Sequence, residues 1–159
     1  MEEVVGIADM KIIKGEGVLA TYALGSCVGI CLYDEVTKIG GLLHAMLPDS
    51  SMAQPLINPQ KYVDTGIEQL YRTMCHMGAV PGFLRAKIIG GAKMFEYKTS
   101  MEVADIGTAN VVKAKHCLAA LGIPIISELT GGEVGRTIRF NPVNKDVIVH
   151  STDGKIEVI

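Results

Sequence analysis

The chain has 159 residues, 48% of them apolar and 20% charged, which suits one ordinary globular domain over 1–159 with a sizeable core. The formal net charge is −2 and there is no lysine/arginine block. This argues against a nucleic-acid or anionic-membrane partner, since either needs a concentrated basic footprint. No apolar run approaches the ~20 residues of a membrane span, and Met1-Glu2-Glu3 is unlike a signal peptide, so a cytoplasmic protein without membrane insertion is expected.

In chain order, the first strand-like stretches are Val18–Leu24, Cys27–Asp34 and Ile39–Met46. Gly25-Ser26 separates the first two, and the polar run Asp34-Glu35-Val36-Thr37 predicts a hairpin between the second and third. Asn58-Pro59 has the signature of a helix start, with Asn58 as N-cap. Val63, Ile67, Leu70, Tyr71, Met74 and Met77 then recur at helical spacing until Gly78. A short strand over Arg85–Ile89 runs into Gly90-Gly91, and a second helix is predicted from about Thr108 to Leu121, ended by Gly122 and Pro124. The tail holds strands near Pro124–Leu129, Thr137–Phe140, Val147–His150 and Ile156–Ile159. Two helices among eight or more strands, without regular strand–helix alternation, point to an α+β fold of mixed β-sheets layered with two main helices.

The candidate chemistry sits on the hairpin. A two-residue loop at Glu35-Val36 would pair Tyr33 with Lys38, Cys31 with Gly40 and Cys27 with His44. Opposed residues on an antiparallel pair have Cβ atoms ~4.5–5.5 Å apart on one face, within reach for a histidine nitrogen and a thiol. A neighbouring histidine raises the nucleophilic thiolate fraction of a cysteine. Gly25-Ser26-Cys27 puts this thiol just after a turn, and Gly40 and Gly41 remove bulk from the facing strand. A third group usually orients the base. Thr21 is the nearest upstream polar residue on a strand, and spacing alone does not demand it over Ser26. The bland alternative is a buried cysteine and a locally satisfied histidine.

These residues also carry a resemblance. Leu24-Gly25-Ser26-Cys27-Val28-Gly29-Ile30-Cys31-Leu32-Tyr33-Asp34, then Gly41-Leu42-Leu43-His44-Ala45-Met46-Leu47-Pro48, resembles the CheD family of chemoreceptor glutamine deamidases. So do Lys87–Phe95, Ile106-Gly107 with Asn110, Leu121–Ile125 and Gly131–Arg136, in order along nearly the whole chain. Ile106-Gly107-Thr108-Ala109-Asn110 departs from the family by lacking the charged pair at the middle of that motif. The resemblance implies a cysteine-hydrolase-like fold shared with the cytotoxic necrotizing factor toxins. It also implies a catalytic cysteine, histidine and threonine at Cys27, His44 and Thr21, and hydrolysis of glutamine side chains on the cytoplasmic helices of chemoreceptors. No cofactor is implied, and the implied second partner is the CheY-phosphate phosphatase CheC. The rival reading is a non-catalytic adaptor that binds and stimulates that phosphatase.

Other motifs are set aside. Cys27-x3-Cys31 with His44 falls short of the four ligands of a closed zinc site, and Cys75-His76 and His116-Cys117 are adjacent pairs on helices that point apart. The four cysteines are expected as free thiols. Gly131–Arg136 lacks the Gly-Lys-Ser/Thr ending of a P-loop, so a turn is expected, with Arg136 near the site. His150 has no facing cysteine that spacing can supply.

Overall fold

Two consecutive strands of this chain, Val28–Asp34 and Ile39–Ala45, are buried at every position. A strand buried on both faces must lie in the middle of a layered structure, and it shows a continuous apolar run rather than alternation. The computed structural model describes residues 1–53, 55, 57–94 and 105–159, and shows those strands at the centre of three layers. Phe95, the end of the Lys87–Phe95 stretch, lies outside the described residues.

The elements are β1 (Glu2–Val4), β2 (Asp9–Lys14), β3 (Val18–Leu24), β4 (Val28–Asp34), β5 (Ile39–Ala45), α1 (Val63–His76), β6 (Leu84–Gly90), α2 (Ile106–Ala120), β7 (Ile125–Thr130), β8 (Arg136–Phe140), β9 (Val147–Ser151) and β10 (Ile156–Val158). One mixed sheet has the order β2-β5-β4-β6-β7 and the other β1-β3-β8-β9-β10. The first is sandwiched. On one face Val28, Ile30, Leu32, Leu43 and Ala45 pack with Ile67, Leu70 and Met74 of α1 and Ala114 and Leu118 of α2. On the other face Cys31, Tyr33 and Leu42 meet Leu19, Leu24, Ile138 and Phe140 of the second sheet. That second sheet is covered on one side only, and β8 and β9 alternate accordingly.

The α+β expectation with mixed sheets and two main helices therefore holds for the described residues. Two edge strands escape the sequence pattern, β1 because it is three residues long and β2 because its apolar residues lie between charged ones. Asn58 does accept from Gln60 N, but it caps a 3-10 turn over Pro59–Lys61, and α1 starts only at Val63. The segment Ile106–Asn110 is the first turn of α2. No helix among the described residues is long and apolar enough to cross a membrane.

The hairpin register differs from the sequence expectation. Tyr33 pairs with Gly40, Cys31 with Leu42 and Gly29 with His44, so Cys27 is not directly opposite His44. The cause is the turn. Asp34 accepts hydrogen bonds from Val36 N (2.8 Å) and Thr37 N (3.1 Å), and its carbonyl accepts from Lys38 N (3.0 Å). Lys38 adopts φ 60°, so the loop is a four-residue turn rather than a two-residue one. Val80 N also donates to Asp34, at 2.8 Å. Burial would raise this carboxyl, but the backbone donors outweigh it and hold it below its ordinary value. The shift is by two residues, so each side chain keeps its expected face. Gly40 and Gly41 stand where Pro142 and Leu70 leave no room for a Cβ, so they serve layer packing rather than access to Cys27.

Candidate functional site

Cys27 lies one residue before the β4 ladder and packs against the cluster between the sheets; continued to it, the same two-residue shift sets it diagonal to His44, at the ~7–8 Å of diagonal neighbours on one face. That face looks into the gap between the sheets, and Thr21 of β3 enters it from the other side. Thr21 Oγ1 lies 2.7 Å from His44 Nδ1 and 2.7 Å from the carbonyl oxygen of Val5. Thr21 and His44 are both fully buried, so this bond ties one sheet to the other. A register irregularity follows Thr21 in β3, with Ala23 at φ 58°. Such bulges end regular pairing and re-aim side chains next to functional sites.

The two bonds of Thr21 decide the histidine tautomer. A carbonyl has no proton to give, so the Thr21 hydroxyl donates to Val5. Its oxygen must then accept from His44 Nδ1–H, which leaves Nε2 as the ring's lone pair. That Nε2 is buried and has no hydrogen-bond partner among the described residues, the Cys27 thiol included. Burial depresses the His44 pKa to about 4, so at neutral pH the ring is an uncharged base. Ser26, the alternative orienting group, is not the partner of His44.

Cys27 is half-buried at the mouth of the gap, immediately before β4. Three successive carbonyls of its turn are each held. Ala92 N donates to Gly25 O (2.8 Å), Asn110 Nδ2 to Ser26 O (2.9 Å), and Gly91 N to Cys27 O (2.9 Å). Gly90, at φ 109°, is where the end of β6 passes so close to Cys27 O that a Cβ would collide with it. Burial pushes the Cys27 thiol up, while its own backbone N–H beside the sulfur pulls the other way. A raised thiol and a depressed imidazole mean that the resting site holds an uncharged pair rather than a preformed thiolate–imidazolium pair. A nucleophilic attack by this thiol would need its proton to move in the same step, after a turn of the thiol toward Nε2.

Of the sequence-predicted site residues, Thr21 and His44 are brought into contact, and Cys27 shares their face without a bond to either. Arg136 is also near. Its guanidinium donates to Gly90 O at 3.3 Å, bracing the strand end behind Cys27. Gly131 and Gly132 form the expected turn, at φ 78° and 72°. His150 sits exposed on the outer face of β9. Sequence reasoning gave no role to Asn110, although a polar residue in the buried stripe Gly107, Asn110, Val111, Ala114 and Leu118 of α2 was a usable signal.

A family model described as CheD chemotactic sensory transduction matches residues 46–151. The Pyrococcus horikoshii protein named "Probable chemoreceptor glutamine deamidase CheD" is 48% identical over 158 residues, 98% of this chain and 97% of that one. The Bacillus licheniformis protein named "Chemoreceptor glutamine deamidase CheD" is 42% identical over 156 residues, 98% of this chain and 93% of that one. Among solved structures, Bacillus licheniformis hypothetical protein YfiH overlaps 70% of this chain and 46% of its own, at 16% identity and a TM-score of 0.41. That last likeness is too slight to bear on function.

Proposed function

This chain belongs to the CheD family, and we propose that it converts glutamine side chains on the cytoplasmic helices of chemoreceptors to glutamate, with Cys27 as nucleophile, His44 as base and Thr21 as the group that orients His44. The observation that carries this reading is the unpartnered, uncharged Nε2 of His44, fixed in that tautomer by Thr21 and facing the same gap as Cys27. A buried nitrogen without a partner costs stability, and such groups are retained where chemistry uses them.

In the proposed reaction the Cys27 sulfur attacks the side-chain amide carbon while its proton passes to His44 Nε2. The carbonyl oxygen becomes an oxyanion, for which the Cys27 backbone N–H is a donor. Imidazolium His44 returns the proton to the amide nitrogen, the C–N bond breaks, and ammonia leaves a thioester. Water then gives a proton to Nε2 and attacks the thioester carbon, releasing the thiol and a glutamate carboxyl. These residues complete the cycle without a cofactor. A half-exposed nucleophile at the mouth of the inter-sheet gap suits a side chain offered from a helix better than a strand laid in a groove.

Residues 1–159 act as one domain in this reading, and the protein works in the cytoplasm, where receptor signalling helices lie. The CheC phosphatase is the second partner; competition between CheC and a receptor fragment for binding tests whether the two share a surface. The decisive experiment is mass spectrometry of a receptor cytoplasmic fragment before and after incubation. Wild-type protein should convert specific glutamines to glutamate with release of ammonia. A fragment of unchanged mass overturns the reading.

A further inference from the structure

We infer that Asn110 is a positioning residue, which turns the Ser26–Cys27 peptide so that the Cys27 N–H faces the oxyanion of the reaction proposed above. Its side-chain amide donates two hydrogen bonds, to Ser26 O at 2.9 Å and to Met46 O at 3.0 Å. Ser26 precedes the nucleophile, and Met46 lies two residues beyond the base. One fully buried amide therefore joins the cysteine turn to the end of the histidine strand.

The consequence follows from peptide geometry. In a planar trans peptide the C=O of one residue and the N–H of the next point in opposite directions. Asn110 holds the Ser26 carbonyl inward, so the Cys27 N–H points away from α2. Its one acceptor among the described residues is the sulfur of its own residue, beside which it lies. It is therefore a donor held next to the atom that attacks, where a tetrahedral oxyanion would form.

Asn110 is held in turn by a close approach. A Cβ on Gly107 would meet the carbonyls of Gly91 and Ala92, so α2 starts directly against the end of β6 and its next turn carries Asn110 to Ser26. The Asn110 Oδ1 is buried without a hydrogen-bond partner among the described residues. An amide kept there at that cost is used for its two N–H donors.

The inference rests on the deamidase reading, and the test separates the two. Asn110→Asp keeps the shape but sets an oxygen against two carbonyls, and Asn110→Leu removes both donors; circular dichroism checks that each folds. Two rates are compared for each variant: ammonia release from a receptor fragment, and alkylation of Cys27 by iodoacetamide. Amide hydrolysis passes through an oxyanion, whereas alkylation at sulfur does not. Kcat should fall about 10²-fold, the loss typical for one oxyanion donor, with KM within about threefold and alkylation within about twofold. Unchanged kcat overturns the inference, and so does a parallel fall in alkylation, which would make Asn110 only a support for the thiol. The wild-type protein offers a reading that needs no substitution. A short aldehyde added to Cys27 places an oxygen at the same spot, and the Cys27 amide proton should move downfield; a stationary resonance overturns the inference even if both variants fail to fold. Absence of ammonia release by wild-type protein would instead sink the deamidase reading, while the aldehyde measurement would still report on the donor.

Discussion

Cys27 and Cys31 are two thiols on one face of one strand region, four residues apart, and they live in different chemical worlds. Cys31 is fully buried among Tyr33, Leu42 and Phe140, paired across the ladder with Lys87. Burial pushes its thiol far above the ordinary range, against the pull of the Lys87 ammonium, whose own bond goes to Lys145 O at 2.7 Å. Cys27 stands at the mouth of the same gap, half-exposed, with the orphan Nε2 of His44 on its face. The lesson is that position along the inter-sheet gap, rather than residue type, separates a packing thiol from one that a substrate can reach. Depth removes solvent and substrate, and the strand end restores both.

The strongest way to break this contrast is to remove each sulfur in turn. Cys27→Ala should cut ammonia release from a receptor fragment by at least about 10³-fold, because in the proposed reaction the thioester forms on its sulfur. Cys31→Val should leave that rate within about threefold and cost no more than about 1.5 kcal/mol of stability in denaturant titration, as a near-volume-conserving core exchange does. Loss of activity in the second variant would dissolve the contrast.

A smaller effect sharpens the description of the base. The His44 pKa lies near 4 in the folded protein and near 6.5 when unfolded, so the unfolded chain takes up the proton first as pH falls. The stabilising contribution of the neutral ring is complete above pH 6.5 and is lost on the way down to about pH 4, a loss of about 3 kcal/mol. His44→Gln should remove that share of the pH dependence of unfolding; an unchanged slope would mean that the ring is not held neutral.

Thr21→Val comes next. It strips the acceptor from His44 Nδ1–H and the donor from Val5 O, two buried groups, at a cost of about 1–3 kcal/mol. A lowered melting temperature with activity reduced about tenfold or more is expected, since the tautomer is no longer enforced. The smallest effect is a difference in labelling. Iodoacetamide on the native protein should modify Cys27 before Cys31, faster toward alkaline pH because its thiol is raised, and Cys31 should react only on unfolding.

Much of this molecule is legible in its residues. Helical spacing of Val63, Ile67, Leu70 and Met74 marks α1, and the apolar runs on either side of Asp34 mark the central hairpin. The residue types of the site and the face of the sheet they occupy were legible too, because a shift of two residues preserves the face. The register was not, because the run Asp34-Glu35-Val36-Thr37 fits a two-residue loop as readily as the four-residue turn that Asp34 caps and Lys38 closes at φ 60°. The two short edge strands were not, because their pairing partners, rather than their own composition, make them strands.

By itself, then, the sequence determined most of the elements, the shared face of the central hairpin, and the presence of a thiol, an imidazole and a hydroxyl on strands near one another in the chain. Periodicity and turn chemistry act between near neighbours and survive without the rest of the fold. Only the tertiary structure decided that Thr21 reaches across from the other sheet to fix His44, and that Asn110, 84 positions from Ser26, turns the cysteine peptide. Both depend on a few ångströms between elements far apart in the chain, which are set when the layers pack and not before.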